Sequence, residues 1–290
     1  MNNSIYKNEK LSKYSWFNLG GPAEIFFKPK SIEDLKNFLV EQKSKNKKIH
    51  ILGAGSNTLF RDSGFDGIII RLGKNFSFCK LIEKNKIEVG AGTLDKKVSD
   101  FAKENNIQGF EFLSCIPGTI GGAIKMNSGC YGHDISQIFY SLKAIDLNGN
   151  IKIFKKEDIK FLYREINLQK DLIFLSAIFF GKTLNKNEIQ EKQNSMIIKK
   201  KTSQPSKIKT CGSTFKNPKD KKAWKLIELS NCKNLRIGGA SISSQHCNFF
   251  INDGSASSKD IENLIDEVKK KVMMNTGIEL ELEIKIVGKR

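Results

Sequence analysis

The sequence has 290 residues, 39% of them hydrophobic, and its 49 Lys and Arg outnumber 31 Asp and Glu to give a formal net charge of +18. This length allows two domains, each with its own core. No apolar run reaches the roughly 20 residues that cross a bilayer, which argues against membrane insertion. The N-terminal stretch 1–17 lacks the apolar segment of a signal peptide, so we expect a cytoplasmic protein.

The positive charge is mostly lysine in polar segments, and it allows more than one interpretation. Aromatic residues do not alternate with the basic ones, as a nucleic-acid stacking surface requires. Solvated lysine-rich surface is therefore favoured, and we expect no nucleic-acid partner. A cationic field would also steer small polyanions such as nucleotides into a cleft. Charge alone does not identify the partner.

The cysteines and histidines do not have the spacing of metal ligands. The six cysteines include no CxxC pair, and the three histidines are equally scattered. We therefore expect no metal site, and reduced, mostly buried thiols.

The first two thirds of the sequence alternate between strand-like segments and glycine-rich loops. One helix is predicted over 93–105, with Thr93 as the N-cap and Leu94, Val98, Phe101 and Ala102 on one face. A hairpin with an Asn-Gly turn is predicted over 142–154. The other predicted strands are KKIHIL (47–52), FDGIIIRL (65–72), NKIEVGAG (85–92) and DLIFLSAIFFGK (171–182). We expect the strand at 47–52 to be buried.

Helical patterns predominate after residue 185, and we place a domain boundary near 185–200. A helix is predicted to end before Ser203, followed by a short helix over 222–231. A longer helix has a Ser-Lys-Asp start and Gly277 as its stop. The last segment, 278–288, alternates apolar and charged residues with the period of a strand.

Two glycine-rich tracts raise the question of a ligand. FLSCIPGTIGGAIKMNSG (112–129) is otherwise apolar, which is typical either of tight turns in a β-rich core or of main chain approached by a ligand. GAGSN (53–57) follows a strand but leads into further β structure, so it is neither a Rossmann nor a Walker loop. Backbone N–H groups, helped by Ser56 and Asn57, would have to hold a pyrophosphate. Two tracts in one domain favour an extended ligand such as a dinucleotide.

Seven motifs in order over nearly the whole chain resemble the UDP-N-acetylenolpyruvoylglucosamine reductase (MurB) family. They are WFNLGGPAE (16–24), GAGSNTLFRDSGFDGIII (53–70), SCIPGTIGGAIKMNSGCYG (114–132), LYRE (162–165), QP with CGSTFKNP (204–218), GGASISSQHCNFFIN (238–252) and LELEIKIVG (280–288).

The resemblance implies an α+β flavoprotein with two domains. Residues 1–190 would form an FAD-binding domain of the p-cresol methylhydroxylase (PCMH) and vanillyl-alcohol oxidase type, with lobes at about 1–72 and 73–190. Residues 191–290 would form an α+β substrate-binding domain. The implied FAD contacts are Gly53, Gly55, Ser56, Asn57, Ser114, Pro117, Gly118, Gly121, Gly122 and Asn127.

The resemblance also implies a reaction. Hydride would pass from NADPH to FAD and then to the enolpyruvyl group of a UDP-sugar, and a serine would protonate the neighbouring carbon. The product would be UDP-N-acetylmuramate, a peptidoglycan precursor. We expect the chain to act as a monomer.

Three residues match the catalytic positions of the family, although the residues alone leave alternatives open. Arg164 would stabilise the enolate, but it also suits an ordinary surface arginine at a strand end. Ser213 would donate the proton, but a turn serine has the same local signature. Periodicity does not choose among three glutamates on one strand face, and only the family ending selects Glu283. The implied substrate contacts are Tyr163, Lys201, Lys216 and Asn217.

The sequence departs from the family pattern in two respects. The chain between Arg164 and Ser213 is too short for the tyrosine-bearing loop of one branch, so it resembles the shorter second type. Trp224 stands where many members have glycine, and Cys211 where many have alanine.

Overall fold

The computed structural model describes residues 4–169 and 171–290. The first three residues of the N-terminal stretch considered above therefore lie outside the described part. The helices are α1 Ile32–Gln42, α2 Asp95–Glu104, α3 Ile120–Lys125, α4 Ile135–Ile138, α5 Lys186–Ser203, α6 Ala223–Leu229 and α7 Ser258–Thr276.

Short strands account for most of the β structure. They are β1 Ile5–Lys10, β2 Pro22–Phe27, β3 Ile49–Ile51, β4 Thr58–Phe60, β5 Phe65–Ile70, β6 Cys79–Glu83, β7 Lys86–Gly90, β8 Ile107–Gln108, β9 Gly129–Cys130, β10 His133–Asp134, β11 Phe139–Asp146, β12 Ile151–Lys155, β13 Lys160–Leu162, β14 Glu165–Asn167, β15 Leu172–Phe180, β16 Lys182–Thr183, β17 Arg236–Ile237, β18 Ala240–Ile242, β19 Phe250–Asn252 and β20 Lys285–Val287.

The largest sheet has five strands in the order β12–β11–β15–β7–β6, with antiparallel neighbours. Its centre is β15, a run of nine residues that is almost wholly buried, as expected of a strand covered on both faces. The predicted Asn-Gly hairpin joins β11 to β12, and the Asp146 carboxylate accepts hydrogen bonds from the Asn148 and Asn150 N–H groups at 2.9 Å each. The hairpin prediction is confirmed.

The described chain divides into two compact units. Unit 1 consists of the described residues up to Tyr6, Phe26–Ala54 and Ile68–Lys200, and unit 2 consists of Lys7–Ile25, Gly55–Gly67 and Lys201–Arg290. Each unit has its own buried apolar cluster, built around the five-stranded sheet in unit 1 and around α6, α7 and the β17–β18–β19 sheet in unit 2. The division at residue 190 into cofactor and substrate domains stays a prediction.

Helix α7 begins and ends as its sequence signals predict. The Ser257 hydroxyl accepts a hydrogen bond from the Asp260 N–H at 3.1 Å, and the Asp260 carboxylate accepts one from the Ser257 N–H at 2.8 Å. This reciprocal pair is a capping box. Gly277 ends the helix at φ 67°, in the left-handed region that a glycine adopts without steric cost.

The start of α2 differs from the prediction. The Thr93 hydroxyl donates to the Phe78 carbonyl at 3.0 Å, so it does not cap the helix, which begins at Asp95. Leu94 is 55% exposed rather than on the buried face, whereas Val98 and Ala102 are fully buried. The reason is tertiary: Leu94 forms an antiparallel β-bridge with Thr119, which orients the chain before the helix starts.

Three smaller predictions also need correction. The strand at 47–52 is present as β3, but it is the last strand of the β1–β2–β5–β3 sheet and Ile51 is 36% exposed. Helix α5 extends through Ser203 instead of ending before it. In the C-terminal segment only β20 is regular strand, pairing in parallel with β4. The predicted alternation nevertheless holds, because Leu280 and Ile284 are buried and the intervening Glu281 is exposed.

Candidate functional site

The glycine-rich segment 112–129 of unit 1 is anchored by buried side chains and has exposed main chain at the surface. Residues 120–125 of this segment form the short helix α3, which sequence reasoning missed. The Ile120 and Gly121 N–H groups donate hydrogen bonds to the Thr93 and Ala91 carbonyls, respectively, at 2.9 Å each. Ile120 and Ile124 are fully buried. Gly122 is exposed, and a Cβ atom there would meet only the Thr119 hydroxyl oxygen, at 3.7 Å. The apolar residues thus anchor the segment and leave main chain at the surface.

The two glycine-rich tracts meet within unit 1. A Cβ atom on Gly53 would lie 2.6 Å from the Thr119 hydroxyl oxygen, a distance that allows no side chain. A Cβ on Gly118 would lie 2.5 Å from a carboxylate oxygen of Asp95. These contacts bring the two tracts together, and the exposed main chain at Gly122 leaves room for an extended ligand with a pyrophosphate to approach the backbone. The residues present therefore fit a dinucleotide such as FAD.

Asp95 is a second unusual feature beside this segment. Its side chain is fully buried, and within the described part of the chain neither carboxylate oxygen has a hydrogen-bond partner. Burial raises the pKa of Asp95 well above its usual value, because a charged carboxylate without partners is strongly disfavoured in the interior. Burial therefore favours the neutral form of Asp95 in the native protein.

The Tyr163–Arg164 turn lies against the same segment. It joins β13 to β14, whose last pair is Leu162 with Glu165. Asn127 is buried, and its amide nitrogen donates to the Leu162 carbonyl at 3.0 Å while its amide oxygen accepts from the Ser136 N–H at 3.1 Å. Both polar atoms of Asn127 thus bind protein backbone and position the turn.

Arg164 adopts an unusual backbone conformation. Its φ of 59° places it in the left-handed region, which is uncommon for non-glycine residues and occurs mainly in tight turns such as this one. The guanidinium donates to the Gly129 carbonyl at 3.0 Å and lies 4.9 Å from the centroid of the Tyr163 ring. Tyr163 itself is 49% exposed. The predicted catalytic arginine is therefore held in a defined position in unit 1.

The second half of the GAGSN tract lies in unit 2. Gly55 has φ 70°, and a Cβ there would fall 1.8 Å from the Tyr14 carbonyl oxygen, so only glycine fits. Ser56 and Asn57 are half-buried. The Asn57 amide donates to the Glu283 carbonyl at 3.1 Å, and the Asn57 carbonyl accepts from the Lys285 N–H at 2.9 Å. This part of the tract is thereby tied to the C-terminal segment.

Ser213 and Glu283 lie on neighbouring segments of unit 2. Ser213 forms an antiparallel bridge with Phe249, and the carbonyl of the next residue, Thr214, accepts from the Glu283 N–H at 2.9 Å. Both residues are half-buried. The structure thus brings two of the three predicted catalytic residues together within one unit, although they are 70 positions apart in the sequence.

The predicted substrate contacts in unit 2 have different surroundings. The Lys216 ammonium forms an ion pair with Glu281 at 3.2 Å. The Asn217 side-chain oxygen accepts from the Ala223 N–H at 3.0 Å, at the start of α6. Lys201 is exposed in the last turn of α5. Ser114 and Pro117, two predicted cofactor contacts, precede α3 in unit 1; Ser114 is half-buried and its hydroxyl donates to the Glu111 carbonyl at 2.7 Å.

The two positions that depart from the family pattern pack into unit 2. Cys211 is buried, its thiol donates to the Thr58 carbonyl at 3.4 Å, and burial raises its pKa to about 12. Trp224 is partly buried against the unit 2 cluster, with its ring centroid 6.1 Å from that of His246. Burial lowers the pKa of His246, which favours the neutral imidazole.

Asn248 is a positioning residue that sequence reasoning did not identify. It is 3% exposed, and its amide donates to the Phe215 carbonyl at 2.8 Å while its oxygen accepts from the Phe215 N–H at 3.0 Å. Its own carbonyl accepts from the Thr214 N–H at 2.8 Å. Asn248 therefore holds the segment that carries Ser213. The sequence signal that could have identified Asn248 is an asparagine within the mostly apolar stretch CNFFIN (247–252).

Residues 4–169 and 171–290 lack both a metal-binding cluster and a membrane-spanning helix. They contain no group of three or more His, Cys, Asp or Glu side chains arranged to hold a metal ion. None of their helices has the length and apolar character needed to cross a membrane.

Comparison with known proteins identifies both parts of the chain. A family model described as "FAD binding domain" matches residues 23–155, and one described as "UDP-N-acetylenolpyruvoylglucosamine reductase, C-terminal domain" matches residues 204–287. A reductase of that name from Pelagibacter ubique is 49% identical over 96% of this chain and 92% of its own length. The one from Orientia tsutsugamushi is 45% identical over 100% of this chain and 96% of its own length.

A solved structure agrees with these relatives. The crystal structure of UDP-N-acetylenolpyruvylglucosamine reductase (MurB) from Thermus caldophilus superposes with a TM-score of 0.85 at 30% identity, covering 97% of this chain and 98% of that one. The glycine-rich tracts and the matched FAD-binding region define a flavin-dependent oxidoreductase that binds FAD, with an α+β fold. The chain belongs to the UDP-N-acetylenolpyruvoylglucosamine reductase family. The predicted family, fold class and cofactor are confirmed.

Proposed function

We propose that this chain reduces UDP-N-acetylenolpyruvoylglucosamine to UDP-N-acetylmuramate with NADPH, as a cytoplasmic monomer acting in peptidoglycan synthesis. The observation that carries the proposal is the 49% identity to a reductase of that name over 96% of the chain. FAD, held by the glycine-rich tracts, would supply the hydride-transfer chemistry between NADPH and the enolpyruvyl group. The chain's own residues must bind the substrate, stabilise developing negative charge and deliver a proton.

The cofactor is assigned to the two glycine-rich tracts. Main chain at Gly122 is exposed and has no side chain to keep a ligand away. A Cβ atom on Gly53, Gly118 or Gly121 would instead press against Thr119, Asp95 or Ala91, so these glycines let the two tracts pack closely at the site we assign to the cofactor. We assign Gly55, Ser56, Asn57, Ser114 and Pro117 to the same cofactor. Asn127 supports the cofactor site through the backbone, because both of its polar side-chain atoms bind protein groups.

Arg164 is assigned to the substrate carboxylate. Hydride addition to the enol ether places negative charge on the adjacent carbon and its carboxylate, and a guanidinium stabilises that charge without being able to lose its own. The hydrogen bonds from Asn127 to Leu162 and from Arg164 to Gly129 orient the turn. A pre-oriented cation needs no rearrangement as charge develops, which is how such groups lower a barrier.

Ser213 is assigned as the proton donor and Glu283 as the group that polarises the enol ether. The hydrogen bond between the Glu283 N–H and the Thr214 carbonyl supports a common site for these residues. A serine hydroxyl is a weak acid, so it can donate only to a strongly basic carbanion with cationic groups nearby. We assign Lys201 and Lys216 to that cationic environment, and Tyr163 and Asn217 to further substrate contacts.

The decisive experiment separates the two half-reactions in Ser213→Ala. The variant should retain FAD, remain yellow and be bleached by NADPH at the wild-type rate. The Ser213 hydroxyl is needed only in the second half-reaction, when the sugar substrate is reduced. Reoxidation by the UDP-enolpyruvyl sugar should be slower by roughly 10²–10⁴-fold, the usual contribution of a general acid. Ser213→Cys should recover part of the rate, because a thiol can also donate a proton.

The matched control is Ser241→Ala, which removes another half-buried serine of unit 2. It should leave both half-reactions unchanged. Normal reoxidation of Ser213→Ala would assign the proton to another group. A wild-type protein that binds FAD and oxidises NADPH but never turns over the sugar would refute the proposed reaction itself.

A further inference from the structure

Two cysteines that the reaction does not use lie together in unit 1. Cys115 ends the 3-10 helix Glu111–Cys115, and Cys130 ends β9, a strand packed against that helix. The Cys130 thiol donates to the Phe112 carbonyl at 3.5 Å, within the helix that Cys115 ends, and the interaction between the two thiols influences the pKa of each more than any other contact. Cys115 is 6% exposed, and Cys130 is half-buried. The two cysteines therefore lie side by side, Cys115 buried and Cys130 half-buried.

A lysine and a hydroxyl group stand beside the pair. The Lys200 ammonium donates to the Cys115 carbonyl at 2.7 Å, and the Ser114 hydroxyl lies 3.7 Å from the Cys115 sulfur. The hydrogen bond from Cys130 lowers the pKa of Cys115 most, followed by the Ser114 hydroxyl and the Lys200 charge, and together they outweigh burial. The same interaction and burial raise the pKa of Cys130. The pair thus favours one thiolate beside one thiol.

The other four cysteines have the opposite character. Burial raises the pKa of Cys79 to about 11 and that of Cys211 to about 12. Burial also raises the pKa values of Cys232 and Cys247, which lie in the apolar cluster of unit 2. Because the thiolate is the reactive form, we expect these four thiols to react more slowly than Cys115. They provide an internal control for any chemistry at Cys115 and Cys130.

We propose that Cys115 and Cys130 form a redox modification site that a hydroperoxide converts to a reversible disulfide. The Cys115 thiolate attacks one peroxide oxygen, an S–O bond forms, the O–O bond breaks and hydroxide leaves with a proton as water. Cys130 then attacks the Cys115 sulfur, an S–S bond forms, the S–O bond breaks and a second water leaves with the Cys130 proton. Two thiols and one hydrogen peroxide thus give one disulfide and two waters.

The position of the site gives the modification a consequence. Cys115 directly precedes Ile116, Pro117 and Gly118 of the glycine-rich segment, and Cys130 follows Gly129, whose carbonyl accepts the Arg164 hydrogen bond. A disulfide would join these two segments covalently. The inference goes beyond the proposed reaction and does not depend on it, because the bond itself can be detected.

The first test uses the unmodified full chain carrying FAD. After brief exposure to equimolar hydrogen peroxide, free thiols are alkylated, and the protein is digested without reduction for mass spectrometry. We expect one linked peptide pair joining Cys115 to Cys130, lost on treatment with dithiothreitol, with the other four cysteines alkylated. Recovery of Cys115 as a free thiol, or its irreversible oxidation without a link to Cys130, would overturn the proposal.

The second test changes the reactivity of Cys115 while keeping both sulfurs. Lys200→Met removes the nearby charge that lowers the pKa of Cys115, and it should slow disulfide formation roughly twofold at about pH 5, where the thiolate fraction limits the rate. Lys200→Arg keeps the charge and should react at nearly the wild-type rate. Cys130→Ala should accumulate a sulfenic acid at Cys115 that a dimedone probe traps, whereas Cys79→Ala should behave as wild type. Equal rates in Lys200→Met and Lys200→Arg would contradict the assigned role of Lys200.

Discussion

The substitution Asp95→Asn should remove a pH dependence of folding stability. Asp95 is fully buried, and its carboxylate has no hydrogen-bond partner among the described residues. The first turn of α2 favours negative charge by at most about 2 kcal/mol. Burying an unpaired carboxylate costs several times more, so the neutral acid prevails. Asparagine has nearly the same shape and cannot titrate.

The direction follows from proton binding. Because burial raises the folded-state pKa of Asp95, the native state binds a proton that the unfolded chain has already released at the same pH. The contribution is fully present below the unfolded value of about 3.9 and is lost as the pH rises towards the folded-state pKa. Within that window the wild type should lose about 1.4 kcal/mol of unfolding free energy per pH unit relative to Asp95→Asn.

The assay is urea unfolding of both proteins at several pH values above about 4.5, with the same excess of FAD. FAD stabilises the folded state of both proteins, so its Kd is measured for each protein at every pH and its contribution is subtracted. Asp100→Asn removes a carboxylate on the same helix that is 43% exposed and paired with Lys96, and it should retain the wild-type slope. Parallel stability curves for wild type and Asp95→Asn would show that Asp95 is ionised in the native state and refute the reasoning.

Three further predictions concern the backbone, a helix terminus and the surface charge. Gly55→Ala should lower the unfolding free energy by at least about 1–2 kcal/mol, because φ is 70° and the new Cβ would overlap the Tyr14 carbonyl; unchanged stability in urea would contradict this. Ser257→Ala should cost about 1 kcal/mol through loss of the α7 cap, measured as a lower Tm, with no change in FAD content. If the net charge of +18 steers the UDP-sugar, kcat/KM should fall between about 20 and 200 mM salt while kcat stays constant; a flat kcat/KM would assign the lysines to solvated surface alone.

Elements with strong local signals could be predicted from the sequence. Helix α7 has a capping box and a terminal glycine, and the β11–β12 hairpin has an Asn-Gly turn, so local energetics alone select each structure. Helix α3 could not be predicted, because two of its six residues are glycines that disfavour helix. Its stability comes from the buried Ile120 and Ile124 and from backbone bonds to Thr93 and Ala91, which are contacts between distant segments.

In the candidate site, too, contacts between distant segments could not be predicted from local sequence signals. The alternation of apolar and charged residues does not distinguish Glu279, Glu281 and Glu283 as candidates for the catalytic glutamate. The structure distinguishes them through long-range contacts: Glu281 pairs with Lys216, whereas the Glu283 backbone bonds to Thr214 and Asn57. Similarly, nothing local places Arg164 beside Gly129 or Asn127 beside Leu162. The catalytic assignments came from the family resemblance and stay predictions.

The composition of unit 2 has a consequence for how the chain is made. Its core contains Phe17, Leu19 and Leu59 from the early part of the chain together with residues beyond 200. On the ribosome these three apolar side chains emerge long before α6 and α7, so unit 2 cannot be completed until synthesis is nearly finished. A C-terminal fragment starting at residue 201 would lack part of its core, and a fragment ending at residue 200 would expose Phe17 and Leu59. We expect both fragments to aggregate when expressed alone and to regain solubility when co-expressed.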